Sequence, residues 1–194
     1  MTLTTLALVG GLVALASHGV WVWGIWKGTM HLNVATWSLW AVIDTAVLLT
    51  SIAGGASAPF LSVGFVVGAI LVSIVLLFKG TWRWGVLETI CASTGLVCLF
   101  LWYLAGPIVA LICLTVGKYG IAGMPTLVGA YVHPERAQSW NWFVGAFAAT
   151  TNIFAAGSWT LAQSFFPTVV LFFCAVVGIM HLRQSSRSTT QAIG

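Results

Sequence analysis

Apolar residues run along this chain in seven long stretches, at about 3–26, 36–53, 60–78, 84–103, 106–128, 139–157 and 161–182. Each is close to the ~20 residues that a helix needs to cross a bilayer at 1.5 Å rise per residue. The polar breaks between them are a few residues long, and a polar tail follows at 184–194. The pattern predicts an all-α membrane protein with seven transmembrane helices and no room for a separate soluble domain.

Composition agrees with the pattern. Hydrophobic residues make up 60% of the 194 positions and charged residues 5%, and the mean hydropathy is +1.04. A soluble domain of this size carries about a quarter of its residues as charges. The net charge of +4 comes from scattered single bases, which is no nucleic-acid footprint. No basic leader precedes the first stretch, which reads as a span. Cys91, Cys98, Cys113 and Cys174 lie within apolar stretches without metal-type spacing and read as small buried hydrophobes. No carboxylate pair, metal cluster or nucleophile–base spacing is present, so the sequence predicts neither an enzyme nor a cofactor.

The bases set an orientation. Lys27, Lys79, Arg83, Arg136, Arg183 and Arg187 all fall on one side of a seven-span chain, and the opposite loops (around 54–59, 105–106 and 157–158) hold none. The positive-inside rule then places the N-terminus outside and the C-terminus inside. Trp21, Trp23, Trp26, Trp82 and Trp84 gather near the basic ends, where an interfacial aromatic belt is expected.

A weak internal repeat accompanies the spans. A shift of 103 residues lays Thr36-Trp37-Ser38-Leu39-Trp40 on Ser139-Trp140-Asn141-Trp142-Phe143, and Ala53-Gly54 on Ala156-Gly157. The shift covers four spans, an even number, so both copies share one orientation. The expected organisation is a three-helix repeat over 1–80, a linker helix over 81–104 and a second three-helix repeat over 105–183.

Against this background one base stands out. Lys118 lies within the fifth stretch, where an ionisable group costs at least ~2.5–3.5 kcal/mol on insertion scales and marks a function or a partner. At 1.5 Å per residue, Asp44 and His18 lie ~12 Å and Lys118 ~15 Å from the same boundary. Three polar groups on three helices thus share a level, and an Asp44–Lys118 ion pair across the repeats with His18 adjoining is expected. Such a pair marks either a solute or proton pathway or a charge contact that fixes helix register. Asn152 offers a donor and an acceptor to a polar solute, or ties helices together. Trp37 and Trp140 read as ring-stacking residues or interfacial anchors. Gly120, Gly123 and Pro125 are expected to let the fifth helix bend. Glu88, about four residues into its span, is read as a structural group paired with Arg83.

The Gly120-Ile121-Ala122-Gly123-Met124-Pro125-Thr126 stretch resembles the proline-bearing part of the fifth helix in PQ-loop and SWEET-type transporters. The His133-Pro134-Glu135-Arg136 loop and Trp140-Asn141-Trp142 are similar to small bacterial seven-span proteins of this shape. Thr126 stands where those families carry glutamine after the proline, and Val22 where the first repeat would carry its own. The nicotinamide riboside transporters share the same layout. The resemblance implies a 3+1+3 bundle in a bacterial plasma membrane that carries a small polar solute (sugar-, nucleoside- or amino-acid-like) between its repeats, as transporter or facilitator. A homo-oligomer is compatible with it. The alternative is a non-transporting accessory subunit of a membrane complex. The partners expected are the lipid bilayer, a small solute and, in the alternative, another membrane chain, with no nucleic acid.

Overall fold

A computed structural model of the chain describes residues 2–30, 32–132, 134 and 136–183, without the side chains of 136 and 137. His133, Glu135 and the expected tail at 184–194 lie outside the described residues. The helices are α1 (Leu3–Trp26), α2 (Val34–Ala53), α3 (Phe60–Lys79), α4 (Val86–Ala105), α5 (Pro107–Val132), α6 (Arg136–Phe154) and α7 (Leu161–Leu182). Among the described residues, all but α6 are long and apolar enough to cross a membrane.

The difference at α6 has a sequence cause. Gln138, Ser139, Asn141, Thr150, Thr151 and Asn152 dilute its 19 residues. Several of these groups are satisfied within the bundle, as burial demands. Thr150 and Thr151 donate to the carbonyls of Ala146 and Ala148, both at 2.8 Å.

Local chemistry sets the helix ends. Thr2 caps α1 by accepting from the Thr5 amide at 3.2 Å, and Asn33 caps α2 by accepting from the Ala35 amide at 3.1 Å. Gly106, at φ +88°, turns the chain so sharply that it alone separates the end of α4 from the start of α5 at Pro107.

The packing follows a regular plan. α3 packs on both α1 and α2, and α7 packs on both α5 and α6. The most extensive contacts between these groups are α1 with α6 and α2 with α5, while α4 leans on α5 and α2. Small residues allow the closest approach: a Cβ on Gly11 would come 2.5 Å from the Phe60 carbonyl oxygen. One half of the bundle is filled by Val47, Leu61, Leu111, Leu114, Phe166 and Val170, all nearly inaccessible. The other half, toward the 27–33 and 80–85 loops, holds a smaller cluster of Ile25, Val34, Val72 and Leu76, and the site lies beside it.

The start of α4 is held by a polar knot rather than by the expected Glu88–Arg83 pair. The Glu88 carboxylate accepts from the Thr36 hydroxyl (2.6 Å), the Asn33 amide (2.9 Å) and the Gly85 backbone N–H (2.9 Å). Arg83 joins through its backbone, its N–H donating to Asn33 Oδ1 at 3.0 Å and its carbonyl accepting from Asn33 Nδ2 at 2.7 Å. The knot fixes the first turn of α2 against α4. The cysteines are free thiols, with Cys91, Cys98 and Cys174 buried and Cys113 half-buried.

Candidate functional site

Within α5 the backbone is α-helical over Pro107–Val116, π-helical over Gly117–Ala122 and α-helical again over Met124–Val132. Pro125 has no N–H to return to the carbonyl of Ile121, and that carbonyl is met by the Gly123 N–H instead. Widened turns of this kind recur at functional sites. Gly123 lies in the break, with the Phe173 ring of α7 at 2.6–2.8 Å from where its Cβ would be, whereas the nearest atom to a Cβ on Gly120 is Val116 Cγ1, at 3.9 Å. Gly120 and Gly123 therefore belong to one irregular segment, which carries Lys118, and Pro125 lies in the first turn of the α-helix that follows.

Lys118 and Asp44 meet. The ammonium donates to Asp44 Oδ1, joining α5 to α2, and both side chains are almost wholly inaccessible. Three rings cage the ammonium, with centroids of Trp40, Phe65 and Tyr119 at 5.0, 5.1 and 5.0 Å from Nζ. At that range each ring face contributes ~0.5–2 kcal/mol. The second carboxylate oxygen of Asp44 and the Tyr119 hydroxyl are both buried and without a hydrogen-bond partner among the described residues.

His18 stands one ring away from the pair. Its Nδ1 donates to the Ala14 carbonyl one turn earlier at 2.8 Å. Its ring meets Phe65 and Trp37 edge-on at 5.2 and 6.2 Å. Phe65 thus touches both His18 and Lys118, which is how the histidine adjoins the pair.

Beneath this layer lies a cavity of about 660 Å³, within the range of small-molecule sites. Its floor is His18, Trp40, Phe65 and Ala122, and its walls come from α1, α2, α5, α6 and the end of α7. Trp21, Trp37 and Trp142 stand together on the wall: Trp21 lies 5.9 Å from Trp37 and 6.2 Å from Trp142. Asn141, with its amide nitrogen toward the Ser17 carbonyl (3.1 Å) and its oxygen toward the Trp21 indole N–H (2.8 Å), clips α6 to α1. The ion pair is not part of the wall. It sits behind the aromatic floor, between the cavity and the close-packed half of the bundle.

Comparison of the chain with family models, with curated proteins and with solved structures returned no match.

Of the residues singled out in the sequence, His18 and Trp37 line the cavity and Asp44 and Lys118 seal it. Trp140 does not belong to it, being 74% exposed on the outer face of α6. Two residues further on, a rotation of ~200° around the helix brings Trp142 inward, so the cavity partner of Trp37 is Trp142. Asn152 is also elsewhere. Its oxygen accepts from the Leu61 amide at 3.3 Å and its nitrogen donates to the Ala148 carbonyl at 3.1 Å, tying α6 to the start of α3. Phe65 and Tyr119 gave no sequence signal beyond apolarity. Asn141 could have been noticed as an amide in an apolar stretch.

Proposed function

We propose that this chain is a transporter or facilitator of a small polar solute, which crosses through the cavity between two like-oriented three-helix repeats. The observation that carries the reading is a site-sized cavity open toward one end of the bundle, floored by rings and closed beyond them by a buried ion pair. Channels and carriers place charges in apolar surroundings where a pathway passes, and parallel repeats place the site at their interface. The packing supports that plan. The contacts α1–α3, α2–α3 and α1–α6 become α5–α7, α6–α7 and α5–α2 when the first three helices are exchanged with the last three.

In this reading α4 is the linker, the layout is that of PQ-loop and SWEET-type proteins, and α6 crosses the membrane with the rest. The cavity opens on the side that bears Lys27, Lys79 and Arg83, which the positive-inside rule makes cytoplasmic, in a bacterial plasma membrane. The conformer is then inward-facing, with Val47, Leu111, Leu114 and Phe166 forming the outer seal. Lys27 and Lys79 lie over Trp23 and Trp26 at 4.7 and 5.2 Å, as interfacial anchors do.

Uptake by purified protein in liposomes tests the proposal, using labelled sugars, nucleobases, nucleosides and amino acids. Saturable uptake of at least one class is expected, and none above empty liposomes would contradict it. A second reading, an accessory subunit, draws on α4, whose Leu96, Phe100 and Tyr103 are 60–87% exposed and could face another chain. A stoichiometric membrane partner, together with absent uptake, would favour it.

A further inference from the structure

The polar groups of the cavity wall are for the most part already engaged with the protein itself. Ser17 donates to the Ala14 carbonyl at 2.7 Å and Thr29 to the Gly24 carbonyl at 3.1 Å. Thr36 and Asn33 are held by Glu88 and Arg83. Asn141 is held by Ser17 and Trp21. Gln138 and His181 are likewise engaged, which leaves the Thr126 hydroxyl and ring surface: four indoles, Phe65 and the His18 imidazole. Among these, the indole N–H groups of Trp40 and Trp142 are buried donors with no acceptor among the described residues. No Asp, Glu, Lys or Arg lines the cavity among the described residues.

From this inventory we infer that the cavity takes a flat, uncharged heteroaromatic solute that presents hydrogen-bond acceptors, a nucleobase-like ring rather than a hexose or a zwitterionic amino acid. The inference rests on the transport reading only in naming its solute. A hexose carries a hydroxyl on nearly every carbon, each both donor and acceptor, and would find few side chains left to meet them. A buried polar group without a partner costs ~1–3 kcal/mol, so a few such hydroxyls would cancel the affinity of a small ligand. A zwitterion would bring two charges to a wall with none to pair them. A ring stacks on indole faces at ~0.5–1.5 kcal/mol per pair beyond its burial, and a small rotation of either indole on ligand entry would turn its orphaned N–H, now without accessible surface, to the ring's acceptors.

Isothermal titration of the full chain in lipid nanodiscs, with adenine, uracil, D-glucose and glycine as probes, tests the inference. Saturable binding of adenine or uracil and none of glucose or glycine is expected. Trp142→Phe keeps a ring and removes a donor, and should weaken base binding about tenfold, the equivalent of ~1.4 kcal/mol. Trp84→Phe, outside the cavity, should leave it unchanged. Binding of glucose without either base, binding of neither base, or an unaltered base affinity in a folded Trp142→Phe would each overturn the inference. Base binding without uptake would refute transport and keep the ring-binding site. Glucose uptake without base binding would do the reverse.

Discussion

Lys118→Met alone is expected to destabilise the bundle by about 3–5 kcal/mol, because it leaves the Asp44 carboxylate buried without its counter-ion. Neither side chain is accessible, and among the described residues no other base forms an ion pair with Asp44. Asp44→Asn alone strands the ammonium, but the three rings around it retain part of its stabilisation, so the loss should be smaller. The double variant Asp44→Asn/Lys118→Met removes both charges and should recover to within ~1 kcal/mol of the parent, since replacing a buried pair by uncharged groups is often neutral. Reversible unfolding in mixed micelles gives all four values. A Lys118→Met protein as stable as the parent would mean that the carboxylate has another partner or reaches water. The double variant also separates the two roles of the pair. Full uptake in a stable double variant reduces it to a register device, and lost uptake assigns it to the pathway.

The second large effect is expected at the floor. Trp40→Ala removes the ring that lies between the cavity and the ammonium and also packs on Trp37 at 5.6 Å. Large aromatic truncations in packed sites cost ~3–5 kcal/mol, and a half-buried Trp40 should fall near the lower end. Its more specific consequence is exposure of Lys118. In the parent protein that side chain is inaccessible, and a small acylating reagent should modify Lys27 and Lys79 while sparing it. In Trp40→Ala the cavity reaches the ammonium, and modification followed by mass spectrometry should rise at least tenfold. Trp40→Phe, which keeps a ring, should stay close to the parent. Unchanged modification in a folded Trp40→Ala would show that Phe65 and Tyr119 seal the pair by themselves.

Much of the architecture was readable from hydropathy alone, because a lipid-facing helix must be apolar over a fixed length. The boundaries of α1, α2, α3 and α7 fall within two residues of the expected spans. The Asp44–Lys118 pair was readable too, since depth along a helix is nearly linear in residue number and a buried charge needs a partner. Rotation about the helix was harder. The repeat matched Trp37 to Trp140, but a helix separates neighbours two apart onto opposite faces, and only packing shows that Trp142 is the inner one. The π-helical turns at Gly117–Ala122 were not readable either. A proline after two glycines announces a break without saying how the backbone closes it. Asn152 and Glu88 show the same limit: a polar residue at membrane depth announces a hydrogen bond, not its recipient. Their recipients are the Leu61 amide and the Thr36–Asn33–Gly85 knot, set by how α3 and α4 begin.

Transport of a solute through the cavity requires that the far side of the Asp44–Lys118 layer become reachable from the opposite face of the membrane. Single cysteines on a background lacking the four native ones test it, with a membrane-impermeant maleimide applied to either face of oriented vesicles. Thr126→Cys, on the cavity wall, should react from the cytoplasmic face. Val47→Cys, in the apolar seal, should react only from the opposite face, and its rate should change when solute is added. Complete protection of Val47→Cys from both faces under every condition, with Thr126→Cys reactive, would describe a closed vestibule and contradict the account.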